Sequence, residues 1–298
     1  LFAHEGAAVV VNDIAEDAGR ETVRMIECDG GVALYDGSDI RFTDGVRAVV
    51  ARTDERFGRL DALVSLANAG ESRSVADFDR SGAELGYAVN VLALVEGARF
   101  AAPVMERNGG GSIVAVSSIQ AVCGTGRSPD YAAAKAAILG ATRSMAVELW
   151  QRRIRVNALT PTAVTGPAWR VVDELGWDAL PEFERRFGSV LRHLPGGVAV
   201  DPMGVAYAAL FLVSDESSWI TGITLPVDAG MHMFHYGVFN GVGECATPKR
   251  VARFRRNSNG VSRSGSSRKK GAITPTRLPE DWAGILWSGY YSPGYGNI

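Results

Sequence analysis

Cysteine and histidine are scarce in this chain. Three cysteines, Cys28, Cys123 and Cys245, stand far apart in 298 residues, alongside four histidines. Scattered thiols exclude a disulfide framework and fit a reducing cytoplasm. The one close histidine pair, His232 and His235, reads as ordinary loop residues, so no metal centre is expected. No uninterrupted apolar run approaches the ~18–20 residues that span a bilayer, and no signal peptide is visible. Acidic residues are missing from 245–279, which hold ten Lys and Arg among many Ser and Gly. Such a stretch cannot bury enough apolar surface to offset its ordering entropy and reads as disordered. A net charge of −2 therefore conceals an asymmetry, +7 over residues 232–298 and −9 over 1–231. A basic tract suits nucleic acid or an anionic membrane. A solvated tail is the plainer reading, and neither partner is expected. The last stretch, WAGILWSGYYSPGYGNI, is aromatic and able to dock elsewhere on the protein.

What is present is the pattern of an α/β protein. Apolar content of 46% with 21% charge is ordinary for a globular chain, and the length suits one large domain with an appendage or two small domains. Short runs rich in Val, Ile and Leu occur at 7–11, 32–36, 60–66, 112–118, 154–159 and 223–228. They suit parallel strands buried on both faces. Helical patterns lie between them, at about 15–28, 44–57, 82–107, 130–151 and 203–213. In the fourth, Tyr131, Ala134, Ile138, Ala141, Met145 and Leu149 form one apolar stripe, with Asp130 as its expected N-cap. The alternation predicts βαβ crossovers and a Rossmann-like, doubly wound parallel sheet over residues 1–231. At the front, Leu1-Phe2-Ala3 reads as the last turn of a helix and Glu5-Gly6 as its exit.

One constellation carries chemistry. Tyr131 and Lys135, four apart, sit one turn from each other on a helix face. A nearby ammonium favours the phenolate, which tunes a tyrosine toward general acid/base work. Ser118, thirteen residues earlier, stands at the carboxyl end of an expected strand, where open α/β sheets place their ligands. Its hydroxyl can hydrogen-bond a reacting carbonyl.

Through residues 1–231 the sequence resembles the short-chain dehydrogenase/reductase family. Asn68-Ala69-Gly70 is similar to the family's N-A-G turn, and Asn90 in YAVNVLAL to its helix asparagine. Ser118 in IVAVSSI matches the family serine, and Tyr131 with Lys135 its Y-x-x-x-K. Arg155-Val156-Asn157 with Pro161 resembles R-V-N…P, and SDESSWITGITLPVDAG the last helix-to-strand passage. The resemblance implies an NAD(H)-dependent enzyme interconverting a secondary alcohol and a ketone. It implies that Tyr131 moves the proton, Ser118 orients the carbonyl and Asn90 fixes a relay water. Lys135 would hold the ribose hydroxyls and lower the tyrosine. Cofactor contacts are implied for Asn68, Ala69, Gly70, Tyr131, Lys135, Pro161 and Val164, the last through its backbone toward the carboxamide. Asp13, after the second family strand, would accept from the adenosine ribose and repel a 2′-phosphate, favouring NAD over NADP. Asp36 matches an adenine-contacting aspartate. Trp169, Trp177, Phe183 and Phe187 suit either a lid over a hydrophobic substrate or internal packing. The long helices imply a homodimer or homotetramer.

The pattern breaks in three places. Thr162 and Gly166 replace a glycine and a threonine beside the nicotinamide. The segment Asp61 to Asn68 is two residues longer than the family's, which would shift the strand end or bulge the loop. Third, the family's first strand and its T-G-x-x-x-G-x-G phosphate loop have no counterpart before Leu1-Phe2-Ala3. That strand is central in the family's sheet, and its loss would leave two unpaired edges in the core. A substitute would have to come from 232–298, and MHMFHYGVF at 231–239 is the expected candidate. A fragment, a mis-started reading or a catalytically silent scaffold with impaired cofactor binding is the alternative to a working enzyme.

Overall fold

A computed structural model describes residues 1–69, 73–124, 128–164 and 200–233, with the backbone of 283–288. Leu1 to Gly6 are indeed a helix exit. Glu5 N–H donates to Leu1 O at 3.0 Å, Gly6 N–H to Ala3 O and Ala7 N–H to Phe2 O, both at 3.1 Å. Gly6 takes φ of +98°, the left-handed cap that glycine adopts without a Cβ penalty.

Elements then alternate as the apolar runs foretell: β1 (Ala8–Asn12), α1 (Glu16–Cys28), β2 (Val32–Asp36), α2 (Thr43–Phe57), β3 (Ala62–Ser65) and α3 (Arg80–Tyr87). A π-helical turn (Ala88–Leu92) leads into α4 (Ala93–Arg107), followed by β4 (Gly111–Val116), α5 (Pro129–Leu149) and β5 (Ile154–Pro161). After them come α6 (Pro202–Val213), β6 (Thr224–Val227) and β7 (Ala283–Ser288). All strands pair in parallel, in the order β2-β1-β7-β3-β4-β5-β6.

Period-two alternation assigns side chains to two core layers. Val10, Leu63, Ile113 and Val156 face α2, α4 and α5, packing with Val49, Leu94, Met105, Ile138 and Met145. Val9, Val11, Val64, Val114 and Leu159 face the other way, toward Phe2, Leu210 and Val213. Both faces of the sheet are covered, which fixes register, since a one-residue slip would exchange the two sets. The helical run Arg80–Arg107 is long and apolar enough by composition to cross a membrane. Yet 56% of its most apolar window is buried inside the domain.

The structure corrects several expectations. The central gap is filled by Ala283–Ser288, not by 231–239. Of that expected candidate, Met231–Met233 is a 3₁₀ turn and the rest lies outside the described residues. The strand falls in the aromatic last stretch, beyond the 245–279 run read as disordered. The N-cap of α5 is Ser128, at φ 56°, because Pro129 occupies the first helical position and moves the cap back from Asp130. Strand β4 ends at Val116, two residues short of Ser118. The two extra residues after Asp61 cause no slip between β3 and β4, which pair evenly from Ala62↔Ser112 to Ser65↔Ala115.

Candidate active site at the carboxyl edge of the sheet

Helix α5 carries Tyr131 and Lys135 toward the carboxyl end of β4. Lys135 is 3% exposed, and its Nζ donates to Val116 O at 3.1 Å. The same ammonium lies 5.5 Å from the centre of the Tyr131 ring. Burial pushes the Lys135 amine down from 10.5 to about 7. Ser117 Oγ donates to Lys135 O at 2.7 Å, which ties the helix to the strand end. Next to it, Ser118 is buried and caps a 3₁₀ turn (Ile119–Ala121), its Oγ accepting from Gln120 N–H at 3.2 Å. Its own hydroxyl proton stays available among the described residues.

Asn90 arrives from the π-helical turn, which also packs against α5. The turn inserts one residue into the helical spacing, a distortion that sets a side chain off the regular stripe. Asn90 Nδ2 donates to Gly86 O at 2.7 Å and to Ala69 O at 3.2 Å. Asn90 Oδ1 is buried without a hydrogen-bond partner among the described residues, and so is Asn68 Oδ1. Two orphaned buried acceptors near one strand edge mark a place where polar ligand groups are expected. Gly70 lies outside the described residues.

Asp13 follows β1 directly. Its Oδ1 accepts from Ala15 N–H at 2.8 Å, and its carbonyl accepts from Tyr35 OH at 2.9 Å. Partial burial raises its carboxyl above the usual value. Asp36 is different, being fully buried, with Oδ1 accepting from Ser38 N–H at 2.8 Å and Oδ2 facing Arg52 Nη1 at 3.2 Å. A small cleft of about 20 Å³ beside Asp13 is lined by Asn12, Ile14, Ile40, Ala67 and Val89. A larger cleft of about 540 Å³ lies along β2, between Arg20, Tyr35 and Arg52, and is lined by none of the site residues expected from the sequence. Its arginines Arg20, Arg24 and Arg52 pair with Glu16, Glu21 and Asp36.

At the far side, Pro161 is the buried end of β5, and Val164 forms a single parallel bridge with Val200. Thr162 Oγ1 donates to Met231 Sδ at 3.1 Å. Gly166, Trp169, Trp177, Phe183, Phe187 and His235 lie outside the described residues. His232 is not a bare loop residue, since its Nδ1 contacts Asp228 Oδ2 at 2.8 Å. The four-residue spacing of the two was a signal for that pair. No cluster of His, Cys, Asp and Glu able to hold a metal occurs among the described residues.

A doubly wound parallel sheet with a half-buried tyrosine beside a buried lysine, and a serine just past one strand end, defines a dinucleotide-type α/β oxidoreductase. The family model described as enoyl-(acyl carrier protein) reductase matches residues 1–232. An uncharacterized oxidoreductase of Thermotoga maritima is 36% identical over 239 residues, covering 77% of this chain and 89% of the relative. The 7alpha-hydroxysteroid dehydrogenase of Escherichia coli K12 is 34% identical over 233 residues, covering 77% and 86%. A structure titled 7 alpha-hydroxysteroid dehydrogenase complexed with NADH and 7-oxo glycochenodeoxycholic acid superposes with a TM-score of 0.68. It is 34% identical and covers 77% of this chain and 86% of its own. L-sorbose reductase of Gluconobacter frateurii, complexed with NADPH and L-sorbose, gives 0.71 at 29% identity, covering 78% and 90%. The chain belongs to the short-chain dehydrogenase/reductase family of oxidoreductases.

Proposed function

We propose that this protein is an NAD(H)-dependent oxidoreductase that interconverts a secondary alcohol and a ketone through Ser118, Tyr131, Lys135 and Asn90. The observation that carries the reading is the buried Lys135 ammonium, 5.5 Å from the Tyr131 ring and tied to the strand that leads to Ser118. A cation beside a phenol favours the phenolate, which is what a tyrosine that gives up and retakes a proton requires.

A nicotinamide dinucleotide fits the donor set. Asn90 and Asn68 hold unmatched acceptors, Asp13 has one carboxylate oxygen uncommitted among the described residues, and Lys135 has further N–H groups to give. Bound there, the cofactor supplies or accepts the hydride. The protein does the rest. Ser118 donates to the substrate oxygen and holds it toward Tyr131, which moves the proton at that oxygen. Lys135 takes the ribose hydroxyls and Asn90 Oδ1 orients a relay water. Asp13 accepts from the adenosine ribose, and Asp36, Asn68, Ala69 and Gly70 frame the adenosine side. Pro161 and Val164 frame the carboxamide side. The substrate is a small alcohol or ketone, with specificity in the 162–200 segment. The reading takes the protein as cytoplasmic and homo-oligomeric. Its described cysteines are free thiols, and Val147, Trp150, Leu92 and Val95 stand exposed on and beside α4 and α5.

The test is titration of the purified chain with NADH and NADPH, followed by fluorescence. Saturable binding that favours NADH supports the reading. A folded chain that binds neither would make it a silent scaffold.

A further inference from the structure

The turn after β6 stands at the same edge of the sheet as Ser118, with β5 between them. Val116, two residues before Ser118, is level with Leu159. Pro161, two residues further along β5, is level with Val227, the residue before Asp228. Ser118 and Asp228 thus leave the sheet on either side of β5, two strand spacings of ~4.8 Å apart. That edge, at the carboxyl ends of the strands, is where open parallel sheets bind ligands.

The turn is tightly held. Asp228, 3% exposed, commits both carboxylate oxygens to it. Oδ1 accepts from Gly230 N–H at 3.0 Å, and Oδ2 accepts from His232 N–H at 2.9 Å. Met231 N–H donates to Asp228 O and Met233 N–H to Gly230 O, both at 3.0 Å. The buried Met231 takes the Thr162 hydroxyl on its Sδ. The residue that replaces a family glycine therefore fastens this turn to the end of β5.

What the turn presents is one imidazole. His232 Nδ1 lies 2.8 Å from the same Asp228 Oδ2. The side chain is still 37% exposed, and Nε2 has no partner among the described residues. A carboxylate at Nδ1 holds the hydrogen of the neutral ring there, which leaves Nε2 as an acceptor pointing away from Asp228. The segment that follows Ser118 is close by, since burial, and after it the Asp228 charge, push the Cys123 thiol up. An imidazole acceptor pairs with a hydroxyl. A carboxylate in its place would need a second proton on the ring and would meet the charge of Asp228.

We propose that His232 is a specificity-determining residue whose Nε2 accepts from a second hydroxyl of the substrate, so that diols are preferred over the corresponding mono-alcohols. The inference rests on the secondary-alcohol reading above and narrows its substrate class.

The test is steady-state oxidation by the full chain, with saturating NAD, of a secondary butanediol and of cyclohexanediols of every ring spacing. Each diol is run beside the mono-alcohol of the same carbon skeleton. Wild type is expected to favour at least one diol by about tenfold in kcat/KM, the worth of one hydrogen bond. His232→Asn carries an amide to the place of Nδ1, which keeps a donor for Asp228, and removes the outer nitrogen. It should cut the diol advantage by about tenfold. His232→Gln, whose amide oxygen reaches the outer position, should recover part of it. A diol advantage that His232→Asn leaves unchanged, whether or not overall turnover falls, makes the residue structural and overturns the proposal. So does a wild type that oxidises every mono-alcohol as readily as its diol. In both cases the secondary-alcohol reading stands. A wild type that binds NADH and oxidises neither class removes that reading and the proposal with it.

Discussion

The ammonium of Lys135 lies 5.5 Å from the centre of the Tyr131 ring, one helical turn away, and is anchored on Val116 O at 3.1 Å. The ring packs beside the cation whether or not it carries a hydroxyl. Tyr131→Phe therefore removes the proton donor and leaves the surroundings of Lys135 in place. Turnover is expected to fall by about 100-fold or more, the usual size of a general acid/base contribution. NADH affinity should stay close to wild type. Steady-state assays with a secondary-alcohol panel and NADH titration separate the two effects, and a variant with substantial turnover would remove Tyr131 from its role.

The same lysine makes folding pH-dependent. Burial lowers its folded value to about 7 against an ordinary 10.5. Between those values the unfolded chain binds a proton that the folded chain does not, so this residue makes stability rise with pH across that window. Below about pH 7 both states are protonated and the burial penalty is felt in full. Lys135→Met takes the charge away. Its stability gain over wild type should be largest near pH 6 and shrink toward pH 10 by something on the order of a few kcal/mol. Urea unfolding of the cofactor-free proteins at several pH values checks this, and parallel curves would show that Lys135 does not drive the dependence.

The sequence was legible where local pattern and burial agree. Val32–Asp36 is the strand that its apolar run foretells, and the Tyr131–Lys135 spacing needs only helix geometry. It was illegible where partners distant in the chain decide. Ala283–Ser288 is a six-residue apolar run next to a basic, Ser/Gly-rich stretch, and only the unpaired edges of β1 and β3 make it a central strand. The π-helical turn at Asn90 escapes any 3.6-residue count, because one inserted residue leaves no mark on a regular period. The ion pair of Asp36 with Arg52 is equally hidden, because no sequence spacing announces that partner.

Asp13 supports a prediction about cofactor choice. One carboxylate oxygen holds Ala15 N–H at 2.8 Å, so an alanine here would also disturb the turn into α1. Serine keeps an acceptor for that turn while removing the charge. Asp13→Ser should weaken NADH and strengthen NADPH, moving their affinity ratio by about tenfold or more, since a 2′-phosphate no longer meets a carboxylate. Paired titrations with the two nucleotides decide it. An unaltered ratio would mean that another group reads the ribose.

Arg155 has a structural task that its place beside the family-like Val156-Asn157 does not reveal. Its guanidinium donates to Leu212 O at 2.7 Å, to Val213 O and Ser214 O at 3.0 Å, and to Ser217 Oγ at 2.8 Å. Those carbonyls include the last of α6, which have no partner within the helix. One strand residue thus caps the helix that covers the other face of the sheet. Arg155→Met takes the charged donor from Val213 O, while Leu212 O keeps the hydroxyls of Ser112 and Ser217 and Ser214 O keeps Ser217, and it should destabilise the protein by about 1–3 kcal/mol. Arg155→Lys should recover less than half of that, because an ammonium cannot reproduce the planar fork. Urea unfolding of the three proteins measures the series. If Arg155→Met unfolds at the wild-type midpoint, the clamp contributes nothing, and the passage into β6 is held by Asn157, which ties β5 to Ile220 O at 2.9 Å, together with the bonds of Val156 and Ala158 to residues 221–223.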